Sequence, residues 1–182
     1  MNSILIAAKV ATQAHFGQYR KYSNERPYIV HPARVAARAM LMPGVEEHVV
    51  AAAWLHDVAE DCPEYEWALD LFSKEVKDLV LELTNVPKHK QPDLNRAQRK
   101  AEQCSRLSGA SRWAKLLKLI DRADNVFDLE HCPDGFWKLY LEETQLLVDA
   151  ITSDKEFREE AVTQELLGEL NRSMAFILSR KE

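Results

Sequence analysis

Apolar residues recur at intervals of three and four along nearly the whole chain, and this feature restricts the fold more than any other. That spacing lines one face of an α-helix, whereas a strand needs alternation. Only five glycines and seven prolines punctuate 182 residues, so the pattern runs in long blocks and implies an all-α domain. A first helix is expected over residues 3 to 16, with Ile4, Ala8, Ala11 and His15 on one stripe, ending near Gly17. After the polar loop QYRKYSNERPY, His31-Pro32 opens a second helix through Leu41, because proline costs little in a first turn. Residues 46 to 60 predict a third helix, rich in alanine and apolar on most sides, as in a buried helix. Another runs from Ser73 to Thr84 and is followed by a mobile loop from Asn85 to Asp93. Then come the charged helix NRAQRKAEQCSR and a helix over 111 to 130, with Trp113, Leu116, Leu117, Ile120, Ala123 and Phe127 at core spacing. Two long helices, 134 to 152 and 155 to 179, follow. No repeat, low-complexity stretch or linker divides the pattern, so one domain over 1–182 is expected.

Composition narrows the function classes. With 46% hydrophobic and 29% charged residues the chain can bury a core and stay soluble, and no apolar run reaches the roughly 18 residues of a membrane span. The start MNSILIAAKVATQAH lacks the basic flank and cleavage site of a signal peptide, so a cytoplasmic location is expected. Cys62, Cys104 and Cys132 form no CxxC pair and are odd in number, which implies reduced thiols. A net charge of −5 argues against a nucleic-acid partner but leaves room for a small anionic ligand. Neither a GxGxxG nor a GxxxxGK loop is present to cradle a phosphate.

Three places do not suit a plain bundle. His56 and Asp57 lie within the most apolar helix, where an uncompensated charge costs several kcal/mol, and Glu60 and Asp61 follow one turn later. One reading is a bound cation; the other is a hydrogen-bonded core histidine beside a helix end turning into solvent. Asp121 and Asn125 share a face of an otherwise apolar helix, either as ligands or in a salt bridge with Lys118 or Arg122. His31 stands at a loop-to-helix junction, as a cap, a core residue or a ligand. Two imidazoles and two carboxylates from three helices form a mixed donor set that suits Mn²⁺, Fe²⁺ or Zn²⁺ better than Mg²⁺ or Ca²⁺.

These residues resemble the ligands of the HD superfamily of metal-dependent phosphohydrolases. The resemblance sharpens over His15-Phe-Gly-Gln-Tyr-Arg-Lys21 and Pro27-Tyr-Ile-Val-His-Pro32, which look like the opening motif of RelA/SpoT-type hydrolase domains. Trp54-Leu-His-Asp-Val-Ala-Glu-Asp61 and Lys118-Leu-Ile-Asp-Arg-Ala-Asp-Asn125 are similar to that family's LLHDVxED and KLADRxxN stretches. The likeness covers roughly residues 5 to 150 and implies a single HD-type helical bundle of about eight to ten helices, with no synthetase domain. It resembles the small stand-alone alarmone hydrolases of the metazoan SpoT-homologue kind. The resemblance implies an Mn²⁺-dependent 3′-pyrophosphohydrolase of the stringent response, acting on (p)ppGpp or (p)ppApp and releasing pyrophosphate and the nucleoside 5′-phosphate. His31, His56, Asp57 and Asp121 would bind the metal, and Glu60 and Asp61 would serve the attacking water. Arg20, Lys21 and Asn125 would line the nucleotide site, Tyr140 would contact the base or ribose, and the basic helix with Arg96, Arg99 and Lys100 falls where the 5′-phosphates could be held, the other reading being a solvated charged face. Phe136 stands where the family usually carries a basic residue, one turn before Tyr140. Two other functions remain open from sequence: a broader HD nucleotidase or phosphatase, acting on a 5′-nucleotide or the 2′-phosphate of NADPH, and a catalytically silent nucleotide-binding module.

Overall fold

The three-and-four spacing is realised as ten α-helices in the computed structural model, which describes residues 2–22, 25–86, 91–133 and 135–181. Among the described residues the only β pairing is an isolated bridge between Tyr19 and Pro27. The chain forms two compact units, one of residues 1–20 and 24–90 and the other of residues 21–23 and 91–182. Among the described residues no helix is long and apolar enough to cross a membrane, and Cys62, Cys104 and Cys132 are in the thiol form.

The first unit holds α1 (Ser3–Ala14), α2 (Val30–Ala39), α3 (Glu47–Leu55), α4 (Val58–Asp61) and α5 (Lys74–Leu83), with a 3₁₀ segment over Pro63–Leu71. The Asn2 side chain accepts the Ile4 and Leu5 N–H groups and so starts α1, and Gly17, at φ +76°, turns the chain after it. Helix α3 is the centre of this unit and packs against α1, α2 and α5. Its Ala51, Ala52 and Ala53 have no exposed surface, and side chains this small let three helices approach one axis closely.

The second unit holds α6 (Arg96–Ser108), α7 (Arg112–Phe127), α8 (Phe136–Ile151), α9 (Lys155–Glu159) and α10 (Ala161–Lys181). A capping box between Asn95 and Gln98 opens α6, and the Ser111 hydroxyl accepts the Ala114 N–H to open α7. Helix α7 is the core element and lies along α10, while α6 packs on α8.

Two expected helices are each broken in two. The stretch 46–60 is broken at His56-Asp57 into α3 and α4, and 155–179 is broken at Glu160, whose ψ of 135° leaves the helical region and whose carboxylate accepts Arg112. Phe127, expected in the core, is 47% exposed and stacks on Phe176 at the end of α7. Of the expected loop from Asn85 to Asp93, residues 87–90 lie outside the described residues.

Candidate metal centre and active site

In the first unit, three donor atoms converge. His31 Nε2 and His56 Nε2 approach to 3.2 Å, His56 Nε2 and Asp57 Oδ2 to 3.2 Å, and His31 Nε2 and Asp57 Oδ2 to 3.4 Å. Both imidazoles are buried. The local backbone explains how neighbours in sequence meet here. Residues i and i+1 of a regular helix face directions about 100° apart and do not touch. Ending α3 at Leu55 and restarting at Val58 lets His56 and Asp57 aim at one point.

His56 Nδ1 donates to the Ala53 carbonyl at 2.8 Å, which assigns the ring proton to that nitrogen and leaves the Nε2 lone pair facing the other two donors. Burial by itself raises the proton affinity of the Asp57 carboxyl, but the adjacent imidazoles of His56 and His31 outweigh it and hold the group well below the usual carboxylate range. Three such donors at one point require a cation or a shared proton between them. A first-row ion binds N and O donors at about 2.1 Å, which sets neighbouring donors about 3.0 Å apart in an octahedron and about 3.4 Å apart in a tetrahedron. The observed edges of 3.2–3.4 Å fall in that interval, so the donor set fits a divalent metal of this class.

The two carboxylates beyond the triad are held by different devices. The single hydroxyl of Tyr28 lies 2.7 Å from Asp57 Oδ2 and 3.0 Å from Asp61 Oδ2, tying the converging donors to α4. Loss of solvent around its carboxyl, then the adjacent Asp57 charge, raises the proton affinity of Asp61. Burial and the same two carboxylates push the Tyr28 phenol far above its ordinary range, so it stays a donor. Tyr28 is in turn stacked on His15, with ring centroids 4.6 Å apart, and lies under the Arg20 guanidinium at 5.2 Å. Glu60 is clamped by Asn85, whose backbone N–H donates at 3.0 Å and whose Nδ2 donates at 3.0 Å to the same Oε2. Tyr28 and Asn85 carried no role in the sequence reading. Tyr28 stands inside the quoted Pro27-to-Pro32 motif, three residues before His31, while Asn85 gave no signal beyond following a helix end.

In the second unit, Asp121 is buried and ion-paired with Lys118 at 2.8 Å, one of the two readings left open by the sequence. The Asn125 amide donates to Asp121 Oδ1 at 2.5 Å, so the shared helix face noted in the sequence is a real contact. The Arg122 guanidinium lies 4.7 Å from the Tyr140 ring centre, and the Tyr140 ring is 5.9 Å from Phe136. Arg96 donates Nε and Nη2 to the two oxygens of buried Glu143 at 2.6 and 3.0 Å and lies over the Phe136 ring. Lys21 is exposed. Helix α7 thus carries Asp121 and Asn125, α8 carries Tyr140 and α6 carries Arg96.

Comparison with known proteins agrees with this chemistry. A family model described as HD domain matches residues 7–147. The guanosine-3′,5′-bis(diphosphate) 3′-pyrophosphohydrolase MESH1 of Xenopus tropicalis is 35% identical over 136 residues, 74% of this chain and 73% of that protein. Its Mus musculus counterpart is 33% identical over 168 residues, 88% of this chain and 91% of that protein. A solved structure described as a metazoan ortholog of SpoT that hydrolyzes ppGpp superposes with a TM-score of 0.76 at 29% identity, covering 94% of this chain and 95% of that one. With the helical fold, the His-Asp dipeptide at the helix break and these matches together, the chain belongs to the HD domain family.

Proposed function

We propose that the chain is a hydrolase that removes the 3′-diphosphate from guanosine or adenosine alarmones, (p)ppGpp and (p)ppApp, with Mn²⁺ as its cofactor. The observation that carries this reading is the triangle of His31, His56 and Asp57 donors, joined through one Tyr28 hydroxyl to the carboxylate of Asp61. Relatives named for ppGpp 3′-pyrophosphohydrolase activity support the same substrate class. His31, His56 and Asp57 would hold the ion, with Asp121 as the fourth ligand that the family motif assigns. Such an ion lowers the pKa of bound water from about 15.7 towards neutrality and polarises a phosphoryl oxygen.

The remaining work falls to the chain's own side chains. Glu60, fixed by the two Asn85 donors, orients the attacking water and takes its proton. Asp61, with its raised proton affinity, supplies the proton that the departing ribose 3′-oxygen needs as its bond to phosphorus breaks. Pyrophosphate and the nucleoside 5′-diphosphate, or the 5′-triphosphate from a pentaphosphate, are the products. Arg20 and Lys21 neutralise the diphosphate, Arg by a forked contact and Lys as a point charge. Asn125 and Tyr140 line the nucleoside, and Arg96, fixed against Glu143, faces the 5′-phosphates. Both units act together as one hydrolase domain over 1–182, in the cytoplasm, on a small nucleotide and without a nucleic-acid partner.

The test is to incubate pure protein and Mn²⁺ with ppGpp, ppApp, NADPH and a 5′-nucleotide, following pyrophosphate and phosphate separately. Pyrophosphate from ppGpp or ppApp is expected. Phosphate from NADPH or the 5′-nucleotide alone would replace this reading with a broader phosphatase, and no product from any of them with a silent binding module.

A further inference from the structure

His15 and Gln18 belong to the His15-to-Lys21 motif, of which the hydrolysis described above uses only Arg20 and Lys21. His15 caps the end of α1 and is 2% exposed. Its Nδ1 lies 2.8 Å from Gln18 Oε1, and because a carbonyl oxygen can only accept, Nδ1 carries the ring proton. Nε2 is then a bare acceptor, buried, with no hydrogen-bond partner among the described residues. A buried polar atom left unpaired costs stability that a phenylalanine ring would not. Packing alone therefore does not account for an imidazole here.

The contacts of the ring lead to the carboxylates. Tyr28 is stacked on it, with centroids 4.6 Å apart and planes 29° from parallel, and the far end of Tyr28 is the hydroxyl shared by Asp57 and Asp61. That hydroxyl sits at the end of a long lever, where a small swing about the Cα–Cβ bond carries it away from one carboxylate. A flat ring packed on the face of the phenol blocks the swing. Gln18, which orients the imidazole, is held in turn: its Nε2 donates to Cys62 Sγ at 3.3 Å, and the Cys62 thiol donates to the Ala14 carbonyl at 3.3 Å. Cys62 directly follows Asp61, and the Tyr28 N–H donates to the Gln18 carbonyl at 2.8 Å. The contacts close a circuit from His15 through Tyr28, Asp61, Cys62 and Gln18 back to His15, all within the first unit.

We propose that His15 is a positioning residue, whose ring, oriented by Gln18, backs Tyr28 and holds the phenol O–H between Asp57 and Asp61. This role rests on the hydrolase reading above for its effect on rate, and on the contacts alone for its effect on Tyr28.

Steady-state kinetics of the full-length chain with Mn²⁺ and ppGpp test the effect on rate. His15→Leu, which fills the space without a flat ring, should lose about tenfold or more in kcat, the scale of a small misplacement, with KM and bound Mn²⁺ unchanged. His15→Phe should recover most of the rate, because it restores the stacked face. In a Tyr28→Phe background, His15→Leu should cost almost nothing more, since the hydroxyl it positions is gone. Carbon NMR reads the contact without turnover, with Zn²⁺ replacing the paramagnetic Mn²⁺ and the tyrosines labelled at Cζ. The Tyr28 resonance, identified among five tyrosines by its loss in Tyr28→Phe, should move towards its unfolded value in His15→Leu and stay near the parent's in His15→Phe. Parental kcat in folded His15→Leu, an equal loss in both backgrounds, a His15→Phe as slow as His15→Leu, or a Tyr28 resonance that does not move overturns the proposal. If the parent releases no product from ppGpp, the hydrolase reading fails and the Tyr28 resonance alone decides. If His15→Leu does not fold, as read by circular dichroism, Gln18→Leu, at a half-buried position, takes its place in both measurements.

Discussion

The two units bury polar groups in opposite senses. In the first, His31, His56 and Asp57 turn three donor atoms on one another within 3.4 Å, a set short of positive charge. In the second, Lys100, Lys118, Arg96 and Arg122 gather near Asp121 and Glu143, with Lys118 paired to Asp121 and Arg96 to Glu143. Buried charge is stable only when compensated. The first set lacks a cation and so marks where one belongs, whereas the second compensates its carboxylates through those two pairs. This contrast separates functional charge from the surface pairs that solvent screens, such as Lys74 with Asp78.

The largest effects should come from breaking the first set. Asp57→Ala removes one corner of the donor triangle, and both bound metal and turnover should fall to background, read by elemental analysis beside the rate. Chelation should do the same reversibly, with Mn²⁺ restoring activity. Metal at a hundredfold excess over its dissociation constant should also stabilise the fold by about 2.7 kcal/mol, raising the melting temperature. Turnover that survives excess EDTA would remove the need for a cation at the triangle and end the comparison as drawn.

A smaller loss should follow when the triangle is kept and its neighbours are changed. Glu60→Gln and Asp61→Asn should retain metal and lose about 10²- to 10⁴-fold in kcat, the range for general acid and base groups. Tyr28→Phe should cost less, about 10- to 100-fold, because it removes one O–H shared between two carboxylates, and hydrogen bonds to charged groups are worth about 1.5–3 kcal/mol. The split between kcat and metal content is the informative measurement. Metal loss as large as in Asp57→Ala would make Tyr28 part of the metal centre and not a link to Asp61.

What could be read in advance follows from how local each feature is. Helices α1, α2, α5, α7 and α8 were legible because periodicity and caps are local, and the all-α fold follows from them. The break at His56-Asp57 was not, since the alanine-rich pattern runs through it unchanged; what ends α3 is the convergence of side chains with His31, 25 residues away. The breaker is the functional dipeptide, which no propensity records. Phe127 was misplaced for a similar reason, as helical spacing gives a face but does not say where the cover ends. The candidate ligand and carboxylate residues stood out as ionisable groups in apolar surroundings, sharpened by the family motifs. Tyr28 and Asn85 were not, because neither residue is unusual at its position and their roles lie wholly in the carboxylates they reach.

The smallest effect tests the second set directly. Lys100 loses its proton near pH 8 in the folded chain, against 10.5 for an ordinary lysine. Between these values the unfolded chain binds more protons than the folded one, so this residue adds to stability as pH rises from about 8 to 10.5 and is a liability below 8. Lys100→Met keeps most of the apolar stem and removes the ammonium. It should therefore melt above the parent at pH 7, and the gap should shrink steadily as both are measured towards pH 10 in buffers free of carboxylate and phosphate. Because the comparison is between two chains differing at one position, other groups that titrate in this range cancel to first order. A gap that stays constant with pH would mean that Lys100 keeps its proton as an exposed lysine does. The Lys100 ammonium would then be solvated, and the contrast between the units would rest on the donor triangle alone.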